Sequence, residues 1–193
     1  MKIPILKGEE QIGWLKQIDR VTPQIVEKMT KWREKGQTYF LTQFYPTIEK
    51  TTEWLQLVLS DKTRMMFIIS ANGRRMGQIG VRDIQKYTAE IDNVIRGEKG
   101  CPSLMYYAEL ALLEYLFSTG INTVYLHVFS TNLKAIRHYQ RVGYREIRRN
   151  KLRKIQDIKF IFYHTGKSGG RKTDIEYIKM KLSKKSFEEG RHE

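Results

Sequence analysis

No feature narrows the fold of this chain more than the order of patterns between Glu90 and Tyr144. A strand-like run over Thr88–Ile95 ends in a Gly-containing turn, and a helix follows from about Pro102 to Thr119. Then come a strand over Asn122–Phe129, a short helix over Asn132–Val142 stopped by Gly143, and a strand over Tyr144–Arg149. Leu104, Ala108, Ala111, Leu112, Tyr115 and Leu116 recur at i, i+3, i+4 and i+7 spacings, which marks the first helix as amphipathic. Pro102 suits its first turn, where no amide partner is needed. Gly97 and Gly100 bracket two charged residues just before that helix, where backbone amides suit a phosphate-bearing cofactor.

Upstream, Ile3–Leu6 reads as a short strand ended by Gly8. Thr22-Pro23 opens a helix carrying Ile25, Met29 and Trp32, with Gly36 as its stop. Thr38–Phe44 is a short strand or extended arm broken at Pro46, and Thr47 or Thr51 opens a helix with Trp54, Leu55 and Val58 on one face. Arg64–Ser70 and Met76–Ile84 form a hairpin around Ala71-Asn72-Gly73. With Thr88–Ile95 that gives three consecutive antiparallel strands with no helix between them. Ile158–Tyr163 and Ile175–Leu182 are two further strands joined by a Gly/Ser/Lys loop, and the chain from Ser183 onward reads as a frayed polar tail.

Composition bears on compartment and partners. A chain of 193 residues with 40% hydrophobic residues reads as one globular domain, here residues 1–182 with a basic/polar tail over 183–193. One cysteine, Cys101, excludes an internal disulfide framework. No apolar run of about 18 residues is present to span a bilayer, so a cytoplasmic protein without membrane contact is expected. Lys and Arg number 35 against 21 Asp and Glu, a net charge of +14, and residues 148–193 carry +8 of it. Such a surface attracts polyanions or a phosphate-rich cofactor. No metal is expected, because four histidines and one cysteine lack ligand spacing. Gly166-Lys167-Ser168 imitates a phosphate-binding P-loop, but Ile161 stands where its first glycine should be and no helix follows.

The segment Asn132-Leu-Lys-Ala135-Ile136-Arg-His-Tyr139-Gln-Arg-Val-Gly143-Tyr144, after the Gly turn and long helix, is similar to the signature of the GNAT acetyltransferase superfamily. The resemblance covers roughly Trp32 to Gly143. The pieces WREKGQTYFLTQFYPTIEKTTEWL and MGQIGVRDI look like the branch holding ribosomal-protein and nucleotide-amino-sugar N-acetyltransferases. It implies an α/β (α+β) fold with a mixed, mostly antiparallel central sheet flanked by helices. The sheet would splay between the strands near 88–95 and 122–129.

The same resemblance implies that acetyl-CoA lies in the opening. Asn93, Val94 and Ile95 would then run beside the pantetheine arm like an added strand. The amides of Gly97, Glu98, Lys99 and Gly100 would meet the pyrophosphate, with Arg96 and Lys99 adding charge and Ser103 at the helix start. The family's glycine pattern does not fall in a clean register: a start at Arg96 puts Lys99 where glycine is expected, and a start at Gly97 ends on Pro102. Tyr139 matches the tyrosine that protonates the departing thiolate. Asn132 would either contact the pantetheine or cap its helix.

The amine must lose a proton, and Glu90 and Asp92, on one face of their strand with Asn93 on the other, are candidates for the base. His127 reads as structural, His138 as facing away on its helix, and Cys101 has no activating base nearby. The expected activity is transfer of acetyl from acetyl-CoA to a primary amine, with a nucleotide-linked amino sugar as the favoured acceptor. The alternatives are a protein or ribosomal N-terminus, or a catalytically degraded module of the same fold that binds RNA or the ribosome. Expected partners are acetyl-CoA and an amine-bearing small molecule; a homodimer and contact with nucleic acid or the ribosome are secondary.

Overall fold

The computed structural model describes residues 1–190. Its strands are β1 (Lys2–Lys7), β2 (Glu10–Gln17), β3 (Thr42–Phe44), β4 (Met65–Ala71), β5 (Arg74–Arg82), β6 (Thr88–Arg96), β7 (Thr123–Phe129), β8 (Arg145–Gln156), β9 (Phe160–His164) and β10 (Arg171–Ser183). The helices are α1 (Pro23–Gly36), α2 (Ile48–Ser60), α3 (Leu104–Ser118), α4 (Leu133–Val142) and α5 (Lys184–Glu189). All ten strands join one sheet in the order β1-β2-β4-β5-β6-β7-β10-β8-β9-β3. Every pairing is antiparallel except β6 with β7. This is the mixed, helix-flanked sheet that the sequence implies.

Alternation along β4 explains the two layers. Phe67 and Ile69 point into a core shared with α3, α4 and α5, while Met66 and Ile68 point into a second core under α1 and α2. The second core is anchored by Trp32 and Leu55, both fully buried. Truncating an indole so placed costs about 3–5 kcal/mol. The hairpin between β4 and β5 turns at Asn72 and Gly73, both at positive φ (50° and 69°), as a type I′ turn requires.

Three elements differ from the sequence reading. β2 was not legible, because its residues EQIGWLKQ carry few apolar side chains. It forms because β1 and β4 pair on its two edges, with Gly13 letting the Ser70 carbonyl approach where a Cβ would clash. α3 begins at Leu104 rather than at Pro102, because Ser103 sits at φ 60° and cannot continue a right-handed helix. The stretch after Ser183 is not frayed: Ser183 caps α5 by accepting from the Ser186 amide at 3.1 Å, and Phe187 is buried against Phe117 with ring centroids 5.2 Å apart. Residues 191–193 of that tail lie outside the described residues. No helix among the described residues is long and apolar enough to cross a membrane.

Candidate active site

The sheet opens in its middle. β6 pairs with β7 only over Thr88–Ile91, opposite Thr123–Leu126, and the two strands then part. The cause lies within β6. Ile95 stands opposite Gln78 and Asp92 opposite Gly80, so Asn93 and Val94 together face Ile79 as a bulge, with Asn93 at φ 51°. The bulge bends the strand and leaves the β7-facing edge of its second half without a partner strand. A cavity of about 900 Å³ fills the gap, bounded by β6, β7, α1, α2, the start of α3 and α4.

On one side lies a phosphate-compatible wall. The Asn93–Arg96 segment, Ser103, Asn132 and Tyr139 all line the cavity, as do Met105 and Tyr106 in the first turn of α3. Amides of a helix's first turn have no intrahelical partner and face an anion well. Arg96, Lys134 and Arg141 add positive charge, and the Arg141 guanidinium rests 4.3 Å from the Tyr106 ring centroid. An unpaired strand edge, a helix start and three cations fit acetyl-CoA.

Gly97, Glu98, Lys99 and Gly100 do not line this cavity, and two of the four amides expected to form the cradle are already bonded. The amides of Gly97 and Glu98 both donate to the Met76 carbonyl at 2.9 Å. Gly97 packs flat on Trp32, where any Cβ would enter the indole. The Glu98 carboxylate turns to α1, accepting from Lys28 Nζ at 3.0 Å and Trp32 Nε1 at 3.2 Å. The turn therefore ties β6 to α1.

Asn132 caps α4, its Oδ1 accepting from the Ala135 amide at 3.2 Å. Tyr139 follows two turns later, 8% exposed, with its ring 5.9 Å from that of Tyr144. Burial first, then the charge of Glu109, raises its phenol well above the usual value. His138 does not face away: its Nε2 lies 2.6 Å from Oε2 of Glu109, a carboxylate with no exposure in the middle of α3.

Glu90 and Asp92 do share one face, and both line the cavity. Asn93 is not opposite them, because the bulge turns its amide back to donate to Asp92 Oδ2 at 2.6 Å. Glu90 is gripped by Arg82 and by His127, whose Nδ1 is 3.0 Å from Oε1. Burial raises its carboxyl, but the His127 hydrogen bond and the Arg82 charge outweigh that and hold it below the usual range. Glu90 is thus a poor proton acceptor and a good orienter. Asp92 sits 3.5 Å from Arg64.

His127, passed over as structural, joins the site instead. Its ring stacks on Tyr177 of β10 with centroids 4.8 Å apart, and burial first pushes the Tyr177 phenol up to about 12. The spacing of β7 offered a hint, since His127 shares a face with Tyr125 and Phe129 rather than with buried Val124, Leu126 and Val128. Cys101 also lines the cavity, half-buried. Gly166–Ser168 lies in the β9–β10 loop, before a strand and not a helix.

No curated protein sequence matches the chain. Solved structures resemble its fold. Spermidine N-acetyltransferase from Vibrio cholerae, in complex with CoA and spermine, has a TM-score of 0.68 at 18% identity, over 90% of this chain and 96% of that one. FdhC, a nucleotide-linked sugar GNAT, has a TM-score of 0.66 at 15% identity, over 94% and 92%. An acetyl transferase from Salmonella typhimurium that modifies the N-terminal serine of a 50S ribosomal subunit protein has a TM-score of 0.71 at 12% identity, over 95% and 99%. The family model of the acetyltransferase (GNAT) domain matches residues 18–145, which contain the bulged strand, the helix start and Tyr139, and the chain belongs to the GNAT family of acetyl-CoA-dependent acetyltransferases.

Proposed function

We infer that this N-acetyltransferase acts on a small primary amine carrying phosphate, of the nucleotide-linked amino-sugar type. The observation that carries the reading is the charge of the cavity's acceptor side. Arg33, Lys35, Lys50, Arg64 and Arg82 face it against two carboxylates, Glu90 and Asp92, each already beside an arginine. A polyamine such as spermidine would meet uncompensated positive charge there, whereas an anionic acceptor would meet attraction.

The residues divide the work as follows. Glu90 holds Nδ1–H of His127, which leaves Nε2 free to take the proton of the acceptor amine. The amine nitrogen bonds to the thioester carbonyl carbon as the carbon–sulfur bond breaks. The Tyr139 hydroxyl gives its proton to the departing sulfur. Burial raises this phenol and so keeps it protonated until the thiolate leaves. Solvent then takes the imidazolium proton and restores the phenol. Acetyl-CoA supplies the activated acetyl group; the unpaired edge of β6 and the first turn of α3 bind its arm and phosphates.

The test is initial-rate acetyl transfer to nucleotide-linked amino sugars, free amino sugars, spermidine and short peptides. A preference of at least tenfold in kcat/KM for the phosphorylated sugars is expected. Equal or better turnover of spermidine would sink the reading.

A second reading, acetylation of a ribosomal protein's N-terminus, is favoured by one observation. Beyond the cavity, Lys179 pairs across the sheet with Arg148, and Lys181 with Arg145, and none of the four forms an ion pair among the described residues. Like charges placed directly opposite are unfavourable unless a counter-charge covers them. Transfer to peptides that falls steeply with added salt would favour this second reading over the first.

A further inference from the structure

One arginine in the acceptor wall has more donors than partners. Arg33, in the last turn of α1, lies with its guanidinium 3.3 Å from the Phe40 ring centroid and 5.8 Å from that of Phe44. Its one hydrogen bond among the described residues runs from Nη2 to the Thr42 carbonyl at 2.9 Å. A guanidinium has five N–H donors, so the rest of the fork is free to face the cavity. On the same Phe44 ring, 5.1 Å from its centroid, sits the ammonium of Lys50, also in the cavity wall. Neither cation forms an ion pair with a carboxylate among the described residues.

Two cations brought to one aromatic ring repel each other, and burying a guanidinium without a counter-charge is costly. Burial holds the Arg33 pKa down at about 10, and the charge of Asp92 opposes this. The backbone around the pair is fixed. Thr42–Phe44 is paired with β9, and Thr47 caps α2 by accepting from the Lys50 amide at 3.3 Å. A rigid fork beside a point charge matches a multivalent oxyanion better than a single carboxylate.

We propose that Arg33 and Lys50, held on the faces of Phe40 and Phe44, form a second phosphate-binding subsite, separate from the cofactor's, that anchors the phosphate group of the acceptor. The proposal rests on the acceptor reading above and assigns its anionic end. The amine then lies at the other end, toward Asp92, Glu90 and His127. The acceptor spans the cavity with its positive end on the carboxylates and its negative end on Arg33.

The experiment is calorimetric titration of the full chain with inorganic pyrophosphate, with CoA already saturating so that the cofactor's phosphate site is filled. Wild type is expected to bind pyrophosphate under these conditions. Arg33→Gln should weaken it about tenfold or more, and Lys50→Gln by a smaller factor, with CoA affinity within twofold of wild type in both. Arg33→Lys keeps the charge but loses the fork, and should fall between wild type and Arg33→Gln. With a phosphorylated acceptor, Arg33→Gln should raise KM and leave kcat nearly unchanged. No pyrophosphate binding to the CoA-loaded wild type, or unchanged binding in Arg33→Gln, overturns the subsite. Absence of CoA binding would instead defeat the acetyl-transfer reading, and titrating pyrophosphate into wild type and Arg33→Gln without CoA would still decide the subsite. Should Arg33→Gln not fold, Lys50→Gln decides it by the same measurement.

Discussion

The two walls of the cavity are built on different principles. The cofactor wall, formed by the second half of β6, the start of α3 and α4, is mostly backbone: a bulge, a free strand edge, a helix start and one capped helix. The acceptor wall, formed by α1, Phe40–Phe44, α2 and Tyr177, is mostly side chains: cations on aromatic faces and carboxylates held by arginines. Backbone recognition suits a co-substrate that never changes. Side-chain recognition can be altered one residue at a time without disturbing the sheet.

Substitutions can break this division, and the strongest falls behind the cofactor wall. Glu109→Ala removes a fully buried carboxylate and leaves His138 without its partner. We expect a loss of about 3 kcal/mol in unfolding free energy by urea denaturation, with CoA affinity falling alongside. Tyr139→Phe should lower kcat about 100-fold, near 2.7 kcal/mol in barrier, while CoA binding by calorimetry stays within twofold. A kcat within threefold of wild type would remove Tyr139 as the acid.

Gly97→Ala probes the seam between the walls. Its methyl would enter the Trp32 indole, so a cost of about 2 kcal/mol is expected. Both CoA and acceptor KM should rise together, since the turn ties β6 to α1. The smallest effect is on pH dependence. Glu90 is held below the ordinary glutamate value of 4.5, so its stabilising contribution is complete above that pH and lost as pH falls through its lower folded value. Between about pH 5 and pH 3 the melting temperature of Glu90→Gln should therefore fall less than that of wild type. Parallel curves would mean that the Arg82–Glu90–His127 contacts contribute no net stability.

The same division decides what the sequence disclosed. The cofactor wall lies within the 55 residues from Glu90 to Tyr144, where helix spacing, Asn132 and Gly143 mark the elements directly. Even there glycine content alone suggested a phosphate cradle at Gly97–Gly100, where the amides of Gly97 and Glu98 are bonded to the Met76 carbonyl instead. Gly97 is small for another reason: Trp32, 65 residues earlier, packs on it. The acceptor wall draws on Arg33, Phe44, Arg82, His127 and Tyr177, which only the sheet order brings together. His127 read alone looks like any strand histidine. The role proposed for it depends on Glu90 beside it and Tyr177 against its ring, and no local pattern announces either. β2 and α5 were missed for a related reason, since each is held by partners far away in the chain.

The pairing of β3 with β9 carries a consequence for how such a protein diversifies. The segment bearing Phe44 is bonded to Phe160–Phe162, and the ring under His127 comes from Tyr177. Both supports lie after residue 145, where the match to the family domain stops. The part by which the chain is recognised thus ends before the part that braces its acceptor wall. Exchanging the β9 strand that braces Phe44 between relatives is therefore a route to a new acceptor, with Tyr177 and the ring it holds against His127 left in place.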